Sequence, residues 1–291
     1  MTTVERLGAW PARACWVALA LVAGGPIGAA IDGRSAAVRT VVVIGAWAGW
    51  AAGLVALLVP RDVALTALRT IVPAGLAAVV AAAAVSGEVG ALEVAATALA
   101  AVATVTVLMP WVGEAWVDGS SYGSERRFPL RPPAALTYAL VPLTWLVVVL
   151  GVVAGPLLLA TGRWAIGAVA LLVGAAAAVA GLRSLHQLAR RWVVLVPGGL
   201  VVHDPLTMPE PQLVPRRMVA RFGPAPADTD AHDLTAGAPG LALELELDEP
   251  VELLVRDGRS TALREARAVL LTPSRPRALL EAARDARLPV G

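Results

Sequence analysis

The sequence predicts an α-helical membrane bundle followed by a small, sheet-rich domain. Of the 291 residues, 57% are hydrophobic and only 16% are charged, whereas soluble domains carry about 25% charged residues. Residues 1–182 hold 10 Arg and 8 acidic residues, against 14 and 14 in residues 183–291. Long apolar runs fill the first part, and short alternating segments fill the second. We therefore place the domain boundary after residue 182.

Six apolar segments are long enough to cross a bilayer. They are residues 14–31, 40–59, 63–85, 91–112, 135–160 and 164–182, each close to the roughly 20 residues that span about 30 Å of hydrocarbon. The first segment also fits a secretory signal peptide, because a basic start precedes an apolar run. Since further spans follow directly, we expect it to be retained as a helix.

The distribution of arginine predicts the orientation of the spans, since basic residues are enriched on the cytoplasmic side. With six spans and a cytoplasmic N-terminus, ten Arg lie at or near the cytoplasmic ends of the spans and three lie on the opposite side, which are Arg34, Arg39 and Arg163. The ten are Arg6, Arg13, Arg61, Arg69, Arg126, Arg127, Arg131, Arg183, Arg190 and Arg191. We therefore expect a multi-pass protein of the cell membrane with both termini in the cytoplasm.

Tryptophans near the span ends are expected to anchor the helices at the membrane surface, where an indole buries its ring and keeps its N–H hydrated. These are Trp10, Trp16, Trp111, Trp116 and Trp164. The deeper tryptophans are expected to pack between helices. They are Trp47, Trp50 and Trp145.

Glycines recur in the spans at a spacing typical of helix packing. Lipid provides no hydrophobic force between helices, so small residues that permit close backbone approach take over that role. The candidates are Gly45, Gly49 and Gly53 in the second span and Gly167, Gly174 and Gly181 in the sixth. We expect them to pack within the chain, while a partner helix from a second copy is the alternative. The oligomeric state is open.

Two groups of charged residues are candidates for functional contacts. Arg69 lies inside the third span, where an unpaired guanidinium is costly, so it either pairs with Glu114 or extends to the membrane surface. The second group lies in the connection between the fourth and fifth spans and comprises Arg126, Arg127 and Arg131. At about 1 kcal/mol per Arg, this group could contact anionic lipid headgroups. Ordinary positive-inside residues are the alternative.

After residue 182, short alternating segments predict about seven strands and a final helix. The strands are expected at 192–196, 200–203, 212–214, 218–222, 241–247, 251–256 and 268–272. Residues 223–240 are expected to form a mobile polar loop, and residues 248–250 a turn. Ser274 is expected to cap a helix that ends near residue 287.

Residues 193–202, 213–218 and 271–276 resemble segments of the bacterial PH-like domains that are attached to membrane spans. The whole chain resembles multi-span membrane proteins of high-GC bacteria with such a C-terminal domain. This resemblance implies a small barrel closed by a helix, and a docking platform for a protein or a lipid. The first turn, residues 197–199, carries no basic residue, in contrast to members that bind phosphoinositides.

The sequence contains no recognisable catalytic motif. His186, His203 and His232 are scattered without metal-ligand spacing, and neither a phosphate-binding loop nor a nucleophile elbow is present. The electrically neutral second part argues against nucleic-acid binding. We therefore predict a non-enzymatic scaffold in the lipid bilayer, without metal or cofactor, whose cytoplasmic domain docks a protein partner. A small transporter or channel is the alternative.

Overall fold

The computed structural model describes residues 8–87, 89–258 and 260–291. They form two compact units. The helical unit contains the chain up to Trp116 together with Pro142–Leu185, and the sheet unit contains Val117–Val141 together with His186–Gly291. The connection between the fourth and fifth predicted spans is thus grouped with the sheet unit, whereas the sequence prediction assigns it to the membrane domain.

The helical unit is formed by long apolar helices. They are α1 Trp10–Val22, α2 Gly24–Ile31, α3 Ala36–Leu58, α4 Asp62–Ser86, α5 Ala91–Leu108, α6 Pro110–Asp118, α7 Val141–Ala160 and α8 Trp164–Ala189, and a π-helical turn, Leu136–Leu140, precedes α7. Five of the described helices are long and apolar enough to span a membrane. The α1–α2 pair, bent by 43°, provides a sixth if it counts as one span. This composition is that of a multi-pass membrane protein.

Two helix ends differ from the sequence prediction. The fourth span ends at Leu108 because Met109 is extended, with ψ of 143°, and Pro110 starts α6. A residue before proline is sterically pushed out of the helical region. The sixth span continues beyond residue 182 as one helix to Ala189.

The sheet unit contains two four-stranded sheets and a final helix. The strands are β1 Arg126–Pro129, β2 Trp192–Val196, β3 Gly199–His203, β4 Gln212–Pro215, β5 Val219–Pro224, β6 His232–Asp233, β7 Leu243–Asp257 and β8 Ser260–Leu271. The first sheet has the order β1-β2-β3-β4 and the second has the order β5-β7-β8-β6. Helix α9, Pro276–Asp285, follows. In the described residues the sheets do not close into a barrel.

One hydrophobic core holds these elements together. Val193 and Leu200 come from the first sheet, Phe222 and Leu245 from the second, and Leu279 from α9. All five are fully buried, and burying a side chain of this size contributes about 1.5–3 kcal/mol. The two sheets and α9 therefore form one folded unit.

Residues 223–240 are packed in part, although nine of these 18 residues are exposed. Leu234 is 2% exposed and belongs to the core, and its N–H donates to Leu270 O at 3.2 Å. The Thr229 hydroxyl donates to the buried Glu244 carboxylate, which also accepts from Arg221 Nη2 at 3.0 Å. Leu234 and Thr229 thus attach parts of this segment to β8 and β7, and its mobility stays a prediction.

Two local predictions in the sheet unit are wrong. The expected turn at residues 248–250 lies within β7, where the pairing with β8 only shifts register between Glu246 and Val251. Ser274 does not cap α9, because the N-cap residue is Arg275 and Pro276 occupies the first helical position. Proline is pre-organised for that position. The helix therefore starts one residue later than a helix capped by Ser274 would start.

Candidate functional site

The connection between α6 and α7 supplies an edge strand to the sheet unit. β1 pairs antiparallel with β2, so that Arg126 lies opposite Leu195 and Phe128 lies opposite Val193. Phe128 is 1% exposed and belongs to the core. Two strands of an open sheet cannot pair through the hydrocarbon core, because exposed sheet edges do not occur there. β1 and β2 therefore lie on the same side of the membrane. The chain between them, which contains α7 and α8, therefore crosses the membrane an even number of times.

Backbone hydrogen bonds attach the residues that flank β1. Three of them, at 2.8 to 2.9 Å, join Leu130 N–H to Arg191 O, Arg131 N–H to Thr272 O, and Ser274 N–H to Pro129 O. On the outer edge, Arg127 N–H donates to Asp118 Oδ1 at 2.8 Å. These bonds occupy backbone groups that an open edge strand would offer to another chain.

A buried ion pair lies next to this attachment. Arg191 and Asp204 are each 1% exposed. Arg191 Nε donates to Asp204 Oδ1 at 2.7 Å, and Nη2 donates to Oδ2 at 2.6 Å, a bidentate geometry that the planar guanidinium favours. Arg191 Nη1 donates to Arg131 O at 2.8 Å, and Asp204 Oδ1 accepts from Leu206 N–H at 3.1 Å. Both buried charges are therefore compensated, and one of these bonds binds the segment that follows β1.

A stack of side chains connects β1, β2 and β3. The Arg127 guanidinium lies 5.5 Å from the centroid of the Trp192 ring. The centroid of the His203 ring lies 5.1 Å from that of the Trp192 ring, at an interplanar angle of 28°. Trp192 and His203 are directly opposite each other in the β2–β3 pairing. A cation over an indole contributes about 0.5–2 kcal/mol, so the stack adds a side-chain attachment for β1.

The surroundings of His203 favour the neutral imidazole. Burial lowers its pKa from the ordinary value of 6.5, Arg190 and Arg127 lower the pKa further, and Asp204 acts in the opposite direction. Its Nε2 is buried and has no hydrogen-bond partner in the part of the chain that the structure describes. Asp204 is already engaged by Arg191, so a proton on His203 would find no free counter-ion there.

The three arginines that are candidates for headgroup contact also make contacts inside the sheet unit. Arg126 Nε lies 3.7 Å from Asp118 Oδ2, and Arg127 Nη2 lies 3.6 Å from Glu125 Oε2. Arg131 contributes its backbone to the attachment of β1. The side chain of Arg126 is 51% exposed and that of Arg127 is 20% exposed, so Arg126 is the more accessible of the two. Headgroup contact stays a prediction.

Tryptophan N–H groups connect the helices of the helical unit. Trp16 Nε1 donates to Trp50 O at 2.9 Å, and Trp50 Nε1 donates to Trp16 O at 2.8 Å, which is a reciprocal pair between α1 and α3. Trp116 Nε1 donates to Ala56 O at 2.9 Å. Trp16 and Trp116 are each only 2% exposed. The prediction that these two tryptophans are surface anchors is therefore wrong, because each indole is enclosed and bonded by a neighbouring helix.

Arg69 lies on α4 with its guanidinium against the junction of α5 and α6. Its Nε lies 3.5 Å from Val107 O, and a Cβ added to Gly113 would come within 2.6 Å of its Nη2. Gly113 thus leaves room for the guanidinium beside Glu114, which is 8% exposed. The ion pair between Arg69 and Glu114 stays a prediction.

The six candidate packing glycines have different environments. A Cβ added to Gly167, Gly174 or Gly181 would come within 3.0 Å of atoms of α7. These three glycines therefore lie at a close α7–α8 contact, of the kind that lets helix backbones approach in lipid.

The glycines of α3 differ from those of α8. A Cβ on Gly53 would lie 2.6 Å from the Trp16 ring, so this glycine makes room for an indole. Gly45 and Gly49 have no described atom within 4 Å of an added Cβ. The buried residues of α3 are near its C-terminal end, at Gly53, Ala56 and Leu57, so the preceding glycines face outward.

Arg191 and Asp204 are absent from the sequence prediction, although the hairpin contains a signal for them. The β2–β3 register places Trp192 opposite His203. One step further from the turn, the same register places Arg191 opposite Asp204, and directly opposite charges on paired strands attract. The apolar hairpin strands and their short turn therefore contain enough information to predict this pair.

The described residues contain no group of three or more His, Cys, Asp or Glu side chains that could hold a metal ion. An open groove of about 400 Å³ on the helical unit is lined by Ala154, Leu157, Leu158, Thr161 and Arg163. No protein family, curated protein or solved structure matches the chain. Function is therefore inferred from the contacts within the two units.

Proposed function

We propose that this is a non-enzymatic membrane protein whose sheet unit is a cytoplasmic, PH-like docking platform for a protein partner. The observation that supports this most directly is β1, because a connection between two spans is built into the platform. The chain passes between the units three times, after Trp116, after Val141 and after Leu185.

The cytoplasmic placement is supported by charge, and strand pairing supports a single compartment for the sheet unit. Ten Arg lie at or near the span ends predicted to be cytoplasmic, against three on the other side, and basic segments remain inside during insertion. The β1–β2 pairing requires the connection before α7 and the segment after α8 to share a compartment. Two four-stranded sheets, whose pairings are antiparallel except for the parallel β6–β8 pairing, and a C-terminal helix support the PH-like interpretation.

The partner is expected to bind side chains rather than a sheet edge. Asp118 and Ser274 already occupy backbone groups of β1, and the edge strand β4 follows Pro211 and ends at Pro215. Proline lacks the N–H that an added strand would need. Exposed apolar side chains are nevertheless present on the sheet unit, at Leu213, Leu241 and Leu263. These side chains are accessible to a docked partner.

Site-specific photo-crosslinking tests this proposal in cells of the source organism that express the full chain. A photoreactive residue at Leu263, which is 65% exposed, is expected to give a discrete protein adduct. The matched control is Leu172 on α8, which is 73% exposed on a predicted span and is expected to react with lipid. Absence of protein adducts from Leu213, Leu241 and Leu263, together with solute flux through reconstituted protein, would reject the docking function in favour of a transporter or channel.

A further inference from the structure

We infer that Arg127, Trp192 and His203 form an acid-sensitive latch that holds β1 on the sheet unit. The three side chains come from three neighbouring strands and contact one another in series, at 5.5 Å and 5.1 Å. β1 is continuous with the connection between α6 and α7, so a change in the latch acts directly on a segment that joins two predicted spans. The latch is distinct from the proposed docking surface.

Protonation of His203 adds a positive charge to a cluster that is already rich in cations. The charged groups that face His203 are Arg127 from β1, Arg190 before β2, and Asp204 after β3. Asp204 is committed to Arg191 by two hydrogen bonds. The protonated imidazole therefore competes with Arg191 for Asp204 or repels Arg127 from Trp192.

Either response weakens the attachment of β1. Arg127 belongs to β1 itself, and Arg191 donates from Nη1 to the carbonyl of Arg131, just after β1. If the Arg191 guanidinium moves away from Asp204, its hydrogen bond to the Arg131 carbonyl weakens. The Arg127–Trp192 contact and the Arg191–Arg131 hydrogen bond thus both depend on the charge of His203.

The direction of the pH effect follows from the environment of His203. Its pKa in the closed form is lowered from the ordinary value of 6.5, so a proton binds more tightly when β1 is detached and the imidazole is hydrated. Above pH 6.5 both forms are mostly neutral, and the attachment is at full strength. As the pH falls below 6.5 the detached form gains protons first, and each unit of pKa difference favours detachment by up to about tenfold.

Hydrogen–deuterium exchange of the full-length protein in lipid nanodiscs measures this opening. The reporters are the N–H groups of Leu130 and Arg131, which are bonded to Arg191 O and Thr272 O. After correction for the intrinsic pH dependence of exchange, opening is expected to be at least about threefold more frequent at pH 5.5 than at pH 7.5. His203→Gln, which cannot be charged, is expected to abolish this difference, and His232→Gln on β6 is expected to retain it.

An equal pH response in the wild type and in His203→Gln would overturn the proposal, as would the absence of any response in the wild type. Arg127→Gln provides a second test if His203→Gln does not fold. It removes the contact with Trp192, so opening at pH 7.5 should increase. Unchanged opening at pH 7.5 in Arg127→Gln would also overturn the latch.

Discussion

Replacing Asp204 by Ala would leave the Arg191 guanidinium buried without its counter-ion. The side chain of Arg191 is 1% exposed and that of Asp204 is 0% exposed, so water cannot replace the lost carboxylate. Removal of one partner from a buried ion pair costs about 3–5 kcal/mol. Leu206 N–H loses its acceptor as well. Since domains are stable by only about 5–15 kcal/mol, Asp204→Ala is expected to remove a large part of the free energy of unfolding of the sheet unit.

Urea-dependent pulse proteolysis of the full-length protein in nanodiscs measures this loss through cleavage within residues 117–141 and 186–291. The matched control is Asp257→Ala. Asp257 pairs with Arg264 at 3.8 Å, but the two side chains are 66% and 57% exposed, so the control is expected to lose less than about 1 kcal/mol. The double variant Arg191→Met/Asp204→Leu removes both buried charges and is expected to recover much of the loss.

Two outcomes would refute this reasoning. The first is a loss for Asp204→Ala that is no larger than the loss for Asp257→Ala. The second is a double variant that is less stable than Asp204→Ala, because the unpaired guanidinium would then not be the cause of the destabilisation.

Two further predictions concern the helical unit. Gly174→Ala should destabilise the α7–α8 contact by about 1–3 kcal/mol, because the added Cβ meets backbone atoms of α7. The control Gly45→Ala should cause no loss of stability, because its added Cβ faces open space. Steric trapping in micelles measures the stability of both variants, and equal effects would contradict the packing described. Trp16→Phe removes the N–H that bonds Trp50 O and should cost roughly 0.5–2 kcal/mol, whereas Trp10→Phe, at a site that is 65% exposed, should be nearly neutral in the same assay.

The membrane part of the fold could be predicted because its cause is local. Each span is a run of apolar residues whose length must match the hydrocarbon thickness, and five of the described helices meet that condition. The exact ends depend on single residues. Pro110 moves the end of the fourth span to Leu108, for example. The roles of the tryptophans are not local, because Trp16 is buried only through a partner on another helix.

β1 could not be predicted from its own residues. Arg126–Pro129 is four residues long, contains two adjacent arginines and a proline, and has no alternating pattern. Its strand conformation depends on β2, which follows only after α7 and α8. Edge strands that gain their stability from a distant partner do not carry a local signal of the kind that periodicity detects.

The Arg191–Asp204 pair lies between these two cases. The β2–β3 hairpin is predictable from apolar strands around residues 197–199, and its register then determines which residues face each other. The third contact of the pair, to Arg131 O, comes from the connection between spans and is not contained in the hairpin. The ion pair could be predicted from sequence, but its role in attaching β1 could not.

The position of β1 in the chain also affects biosynthesis. β1 leaves the ribosome before α7 and α8, and its partner β2 is translated only after both helices. Until then Phe128 and Leu130, which are buried in the folded protein, have no sheet to cover them. If only one helix of the pair inserted, β1 and β2 would end in different compartments and the sheet could not form. Completion of the sheet therefore requires that β1 and β2 end in the same compartment, and a chain that fails at this step would expose apolar residues that favour aggregation.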